Sequence, residues 1–79
     1  MDVTVYSTSR CSACKTTKEQ LDRLLNGKFN YVVDDIEVMN DLNIRKVPTT
    51  VLSLDGVEVT RFQGVQPDSV YLEALASDT

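Results

Sequence analysis

Two cysteines stand three residues apart, in Cys11-Ser12-Ala13-Cys14, and the chain holds no histidine and no other cysteine. Thiols at this spacing hold a metal, exchange electrons as a dithiol/disulfide pair, or merely fill space. A structural zinc site takes four ligands, usually cysteine and histidine. One chain of this composition falls two short, and only a bridging dimer would supply the rest. A structural staple is a poor reading as well. So short a loop removes little entropy from the unfolded chain, and a reducing compartment does not favour such bonds. Redox exchange is the chemistry these residue types carry best; a pair of incidental cysteines is the bland alternative.

The position of the pair sharpens the reading. From Ser12 onward, Cys14, Thr17, Leu21, Leu24 and Leu25 recur at helical spacing. Cys11 therefore falls on the loop that opens a helix, and Cys14 one turn inside it, on the face shared with Leu21. A helix start presents unpaired N–H groups and a partial positive charge, which stabilise a thiolate. Cys11 is expected to be the more exposed thiol and the nucleophile. Cys14 is expected to be buried and to resolve the mixed disulfide, leaving a Cys11–Cys14 bond. Arg10 and Lys15 flank the motif, and both a role in favouring the thiolate and a plain role in solubility are open to them.

The elements that must position the pair are short. Residues 3–6 alternate as a strand. Asn26-Gly27 stops the first helix, and residues 29–33 read as a second strand. Asp34-Asp35 offers a cap to a short helix through Ile36, Met39 and Leu42. Residues 49–54 and 57–62 are strands joined by Asp55-Gly56, a strong hairpin signal. Pro67 suits the first position of a last helix, whose apolar side is read as Tyr71, Leu72, Leu75 and Ala76. The order is β-α-β-α-β-β-α. A crossover helix makes the first two strands parallel and the hairpin makes the last two antiparallel. The fold class is α/β, a mixed four-stranded sheet covered by three helices, in a single domain over residues 1–79. Pro48 opens the third strand, either as an ordinary trans proline or as a cis one beside the cysteines.

Charge bounds the partners. The formal net charge is −4, which argues against nucleic acid. Residues 10–28 nevertheless carry five cations against two carboxylates. Pairs such as Lys18–Asp22 and Glu19–Arg23 on a solvated helix and a positive field around the cysteines both fit this stretch. No apolar stretch is long enough to span a membrane, and the N-terminus lacks signal-peptide features. The chain is accordingly expected to be a cytoplasmic monomer.

With these residues in place, the chain resembles the glutaredoxin/thioredoxin family. Tyr6-Ser7 leading to Cys11-Ser12-Ala13-Cys14 is similar to the glutaredoxin opening. Asn43-Ile44-Arg45-Lys46-Val47-Pro48-Thr49, the Asp55-Gly56 hairpin and Phe62-Gln63-Gly64 are similar to thioredoxin. The resemblance implies a thioredoxin fold with Pro48 cis against the disulfide. It also implies that the Val47 backbone receives an extended substrate by strand addition. Arg10, Ser12, Ala13, Val47, Pro48 and Gly64 form the expected substrate groove. Departures are plain: Arg10 precedes Cys11 where thioredoxins have tryptophan, no proline lies between the cysteines, and Val5 stands where thioredoxins bury an acid. The lysine that glutaredoxins place before the motif is Thr8, and their paired glycines reduce to Gly64 followed by Val65.

The resemblance implies a small dithiol electron carrier that reduces protein disulfides, with ribonucleotide reductase as a client by family analogy. Its electrons would come from a thioredoxin-reductase-type enzyme or from glutathione. Arg10 or Lys46 would take a glutathione carboxylate, and no cofactor is permanently bound. An alternative is a glutathione-dependent or iron–sulfur-cluster-bridging module using Cys11 of two chains. A third is a redoxin fold serving only as an interaction scaffold.

Overall fold

The computed structural model of the chain describes residues 1–76. Alternation along β1 (Asp2–Ser7) separates two faces, with Val3, Val5 and Ser7 buried and Asp2, Thr4 and Tyr6 less so. This strand is central. It pairs in parallel with β2 (Asn30–Val33), from Thr4↔Asn30 to Ser7↔Val33, and α1 (Ser12–Leu25) supplies the crossover that a parallel pair requires. On its other side it pairs antiparallel with β3 (Thr49–Leu54), which pairs antiparallel with β4 (Val57–Gln63), giving the order β2-β1-β3-β4. Asp55 and Gly56 both take positive φ, 53° and 82°, the backbone that a two-residue hairpin matched to strand twist demands.

One row across the sheet reads Tyr31, Val5, Thr50, Phe62. Its face carries the main core: Val3, Val5 and Leu52 meet Leu21 of α1 and Tyr71 of α3 (Asp68–Ala76), with Leu24, Leu25, Ala74 and Leu75 packed around them. Each such side chain, once fully buried, contributes about 1.5–3 kcal/mol. The opposite face takes α2 (Ile36–Asp41). There Met39, Ile44 and Val51 are buried, and Arg61, in register with Val51, donates to the Leu42 carbonyl at 3.0 Å.

The expected α/β order and the mixed sheet are present. Residues 77–79 of the expected 1–79 domain lie outside the described residues. Several local expectations are corrected. The first strand gains Asp2 and Ser7, and Phe29 falls outside β2. Pro67 lies just before α3 rather than in it, and its carbonyl accepts the Val70 N–H at 3.1 Å. The buried side of α3 runs from Tyr71 to Ala74 and Leu75, the i+3 and i+4 neighbours, so Leu72 is turned outward and half exposed and Ala76 is exposed. Ile36 is also exposed, because α2 has only six residues and turns Met39 to the sheet. Lys18–Asp22 forms, at 3.1 Å, but Glu19–Arg23 does not, since Arg23 reaches Asp68 of α3 at 3.0 Å instead.

Candidate active site

The pair is joined as a Cys11–Cys14 disulfide at the start of α1. Cys11 is the N-cap. Its backbone is extended (φ −120°, ψ 104°), and its Sγ accepts the Cys14 N–H at 3.0 Å. The usual serine or aspartate cap oxygen is thus replaced by sulfur, and one of the helix's orphan donors points at the Cys11 sulfur. Cys11 is half-buried while Cys14 is fully buried, so the two sulfurs differ in access as the helical spacing predicts.

Register brings three other segments to this end of the sheet. Tyr6 pairs with Thr49, which puts Val47-Pro48 beside the chain leaving β1 toward Cys11. The Val47–Pro48 bond is cis, and Pro48 is buried. The Gly64 N–H donates to the Pro48 carbonyl at 2.8 Å with Gly64 at φ +77°, so the segment after β4 is tied to the proline. The Thr49 hydroxyl donates to the Lys46 carbonyl. No hydrogen bond among the described residues engages the Val47 backbone, which leaves its N–H and C=O available. Lastly, the Asp34 N–H donates to the Ser7 carbonyl at 3.0 Å, and the Asp34 carboxylate accepts the Ser9 N–H at 3.1 Å, pinning the loop before Cys11 to the end of β2.

Of the expected site residues, Arg10 and Ser12 are exposed beside Cys11, and Ala13, Val47 and Gly64 are partly exposed. All stand at the disulfide end of the sheet. Val5, in place of a buried acid, is completely buried against Thr50. Burial raises the Tyr6 phenol above its ordinary range; Arg61 opposes this, while Asp35 and Glu58 add to it. Arg23, followed by Gln20, holds Asp68 below the usual carboxylate range through hydrogen bonds.

Two contributors escape a reading of the sequence. One is Asp34, whose partner Ser9 is remote in the chain; the local signal pointed to a helix cap, a role that Asp35 fills through the Val38 N–H. The other is Gln20. Its side-chain amide donates to the Gln66 carbonyl at 2.8 Å and to Asp68 at 2.7 Å, linking the cysteine-bearing helix to the segment after Gly64. A shallow depression of about 350 Å³, lined by Thr16, Glu19, Gln20, Arg23 and Val65, flanks this link and includes neither cysteine. No group of three or more His, Cys, Asp or Glu placed to hold a metal occurs among the described residues. No helix among them is long and apolar enough to cross a membrane.

No family model matches the sequence. The chain is similar to thioredoxin 1 from Thermosipho africanus TCF52B, with a TM-score of 0.79 and 15% identity over 98% of this chain and 92% of that one. It is similar to the thioredoxin of Trypanosoma brucei brucei, with a TM-score of 0.83 and 18% identity over 96% and 72%. For the Fasciola hepatica thioredoxin the values are 0.77 and 24% over 98% and 79%. The chain therefore has the thioredoxin fold, with a C-x-x-C pair joined as a disulfide where α1 begins.

Proposed function

We propose that the protein is a thiol–disulfide oxidoreductase in which Cys11 is the nucleophile and Cys14 the resolving thiol. The single observation that carries this reading is the Cys11 sulfur capping α1, within hydrogen-bonding distance of the Cys14 N–H, with Cys14 shut away behind it. A thiolate at that point keeps the N–H and the helix dipole as stabilising partners. In the reduced protein, Cys11 S⁻ attacks a substrate disulfide, forming a mixed disulfide and releasing one substrate thiolate. Cys14, deprotonated, then attacks the Cys11 sulfur. The Cys11–Cys14 bond forms, the second substrate thiolate leaves, and two electrons have passed to the substrate.

The unengaged Val47 backbone next to Pro48 supports an extended polypeptide as substrate, paired by strand addition. Ser12, Ala13, Val47, Pro48 and Gly64 then line its path, with Arg10 at the rim. The donor is a thioredoxin-reductase-type enzyme or the glutathione system, and ribonucleotide reductase is the client to test first. The decisive assay offers NADPH with thioredoxin reductase in one vessel and NADPH, glutathione and glutathione reductase in another, each with a protein disulfide. Turnover in one identifies the donor; turnover in neither removes the proposal. Cys14→Ser is expected to accumulate the mixed disulfide at Cys11, visible by mass, whereas Cys11→Ser forms none.

A further inference from the structure

The chain carries eight cationic side chains and a net charge of −4, and its ion pairs are unevenly placed. Lys18 pairs with Asp22, Arg23 with Asp68, and Arg61 with Glu58. Five cations have no carboxylate partner among the described residues. Lys28 lies past the far end of α1, but Arg10, Lys15, Arg45 and Lys46 all lie at the disulfide end and all are exposed. Arg10 directly precedes Cys11, and Lys15 closes the first turn, its N–H on the Cys11 carbonyl. Arg45 and Lys46 lead into Val47-Pro48; the Arg45 guanidinium reaches only the Asn43 side-chain oxygen. Three carboxylates stand at the same end. Asp34 and Asp35 are occupied by the Ser9 and Val38 N–H groups, and Glu37 is exposed on α2. The cations outnumber these carboxylates four to three, and they belong to the two segments that flank Cys11, the start of α1 and residues 45–48. The positive end of the α1 dipole adds to them.

Resting on the oxidoreductase reading, we infer that the polypeptide this protein reduces carries Asp or Glu residues close to its disulfide. An extended segment laid along Val47 would run between Arg10 and Lys46, and carboxylates on it would meet cations that form no ion pair among the described residues. Fields of this kind act mainly on association. They raise rates by about 10- to 1,000-fold at low salt and fade as the screening length falls from about 30 Å at 0.01 M to about 3 Å at 1 M.

The test uses three synthetic peptides sharing one intramolecular disulfide, flanked by two Glu, two Gln or two Lys. The prereduced full-length protein is mixed with each peptide, and the second-order rate constant is read from the loss of protein dithiol as the peptide dithiol appears. At 0.01 M salt the acidic peptide is expected to react about tenfold faster than the neutral one, and the basic peptide more slowly than either. At 1 M salt the three should converge. In Lys15→Glu/Lys46→Glu the order of acidic and basic peptides is expected to reverse. Because the order is read within one variant, any loss of overall rate does not affect it. Equal rates for the three peptides at low salt would overturn the inference while leaving the oxidoreductase reading intact. A preference that persists unchanged at 1 M salt, or in the variant, would overturn it too. Failure with all three peptides and with uncharged bis(2-hydroxyethyl) disulfide would instead refute the oxidoreductase reading.

Discussion

Gly64 and Gly56 offer a matched experiment. Both have positive φ, 77° and 82°, and a Cβ built on either would meet nothing within 4 Å. Alanine at either position therefore suffers only the backbone penalty of the left-handed region, roughly 1–2 kcal/mol. For a domain of this size each variant should melt about 4–8 °C lower per kcal/mol lost. The two differ in location. Gly56 turns the β3–β4 hairpin, at the end of the sheet away from the cysteines, whereas Gly64 donates its N–H to the Pro48 carbonyl beside the Val47 backbone. In Gly64→Ala the new methyl has open space in the free protein, so its steric effect falls on a bound segment. Inserting a methyl into a close-packed contact costs about 1–3 kcal/mol, which corresponds to roughly 5- to 150-fold in kcat/KM. The assay is reduction of a peptide disulfide by each variant well below its melting temperature, with bis(2-hydroxyethyl) disulfide as a substrate too small to lie along Val47. Gly64→Ala should lose peptide reduction and keep most of its activity on the small disulfide; Gly56→Ala should keep both. If both variants reduce the peptide as fast as the parent, the path over Gly64 is wrong. If both lose activity equally, the effect is one of stability and the reasoning about the groove fails.

Two further outcomes follow from burial and charge. The Thr50 hydroxyl is buried with no hydrogen-bond partner among the described residues, so Thr50→Val removes an uncompensated polar group at nearly constant shape and should stabilise by about 1 kcal/mol in urea denaturation; a loss of stability would show that the hydroxyl is satisfied. Asp68 is held below its ordinary range, first by Arg23 and then by Gln20, so its contribution is complete above the unfolded-chain value near pH 4 and is lost as pH falls through the lowered folded value. The gap in urea midpoint between the parent and Asp68→Asn should be open at pH 7 and shrink as pH falls below the unfolded-chain value, and a gap independent of pH would assign the effect to geometry rather than charge.

The sequence made the cysteine helix legible because its information is local. Cys14, Thr17 and Leu21 recur at the helical period, and all three are buried. The hairpin was legible for the same reason, since Asp55-Gly56 has few other uses. What stayed hidden depends on contacts between remote residues. Whether Leu72 or Ala74 faces the core is not decided by apolar character, because Tyr71 anchors α3 and its i+3 and i+4 neighbours follow. Arg23 has an acid one turn before it, yet Asp68 is the partner it reaches. The cis geometry of Pro48 was implied only by resemblance, and the ties that converge on the site, Asp34 to Ser9 and Gly64 to Pro48, join segments that no periodicity connects.

Those ties explain how a chain of 79 residues supports a site made largely of loops. The stabilising burial lies in the middle of the sheet, where Val5 and Leu52 meet Leu21 and Tyr71. At the disulfide end Cys14 and Pro48 are buried but Val33, Ile36 and Val65 are exposed, so packing alone does not hold the loops there. Instead the loop before Cys11 is pinned to β2 by Asp34, the segment before β3 is fastened by Thr49 to the Lys46 carbonyl, the chain after β4 is fastened to Pro48, and Gln20 links that chain to α1. Except for Asp34 and Gln20, whose carboxylate and amide are specific, the groups joined are backbone or a hydroxyl. Side chains at Arg10, Ser12, Lys46 and Val65 are therefore free to differ without loosening the frame. Under the proposed function, partner preference and the position of the Cys11 sulfur fall to separate sets of atoms, which is why charge reversal at Lys15 and Lys46 can be read as a change of preference, and Gly64→Ala as a change of fit.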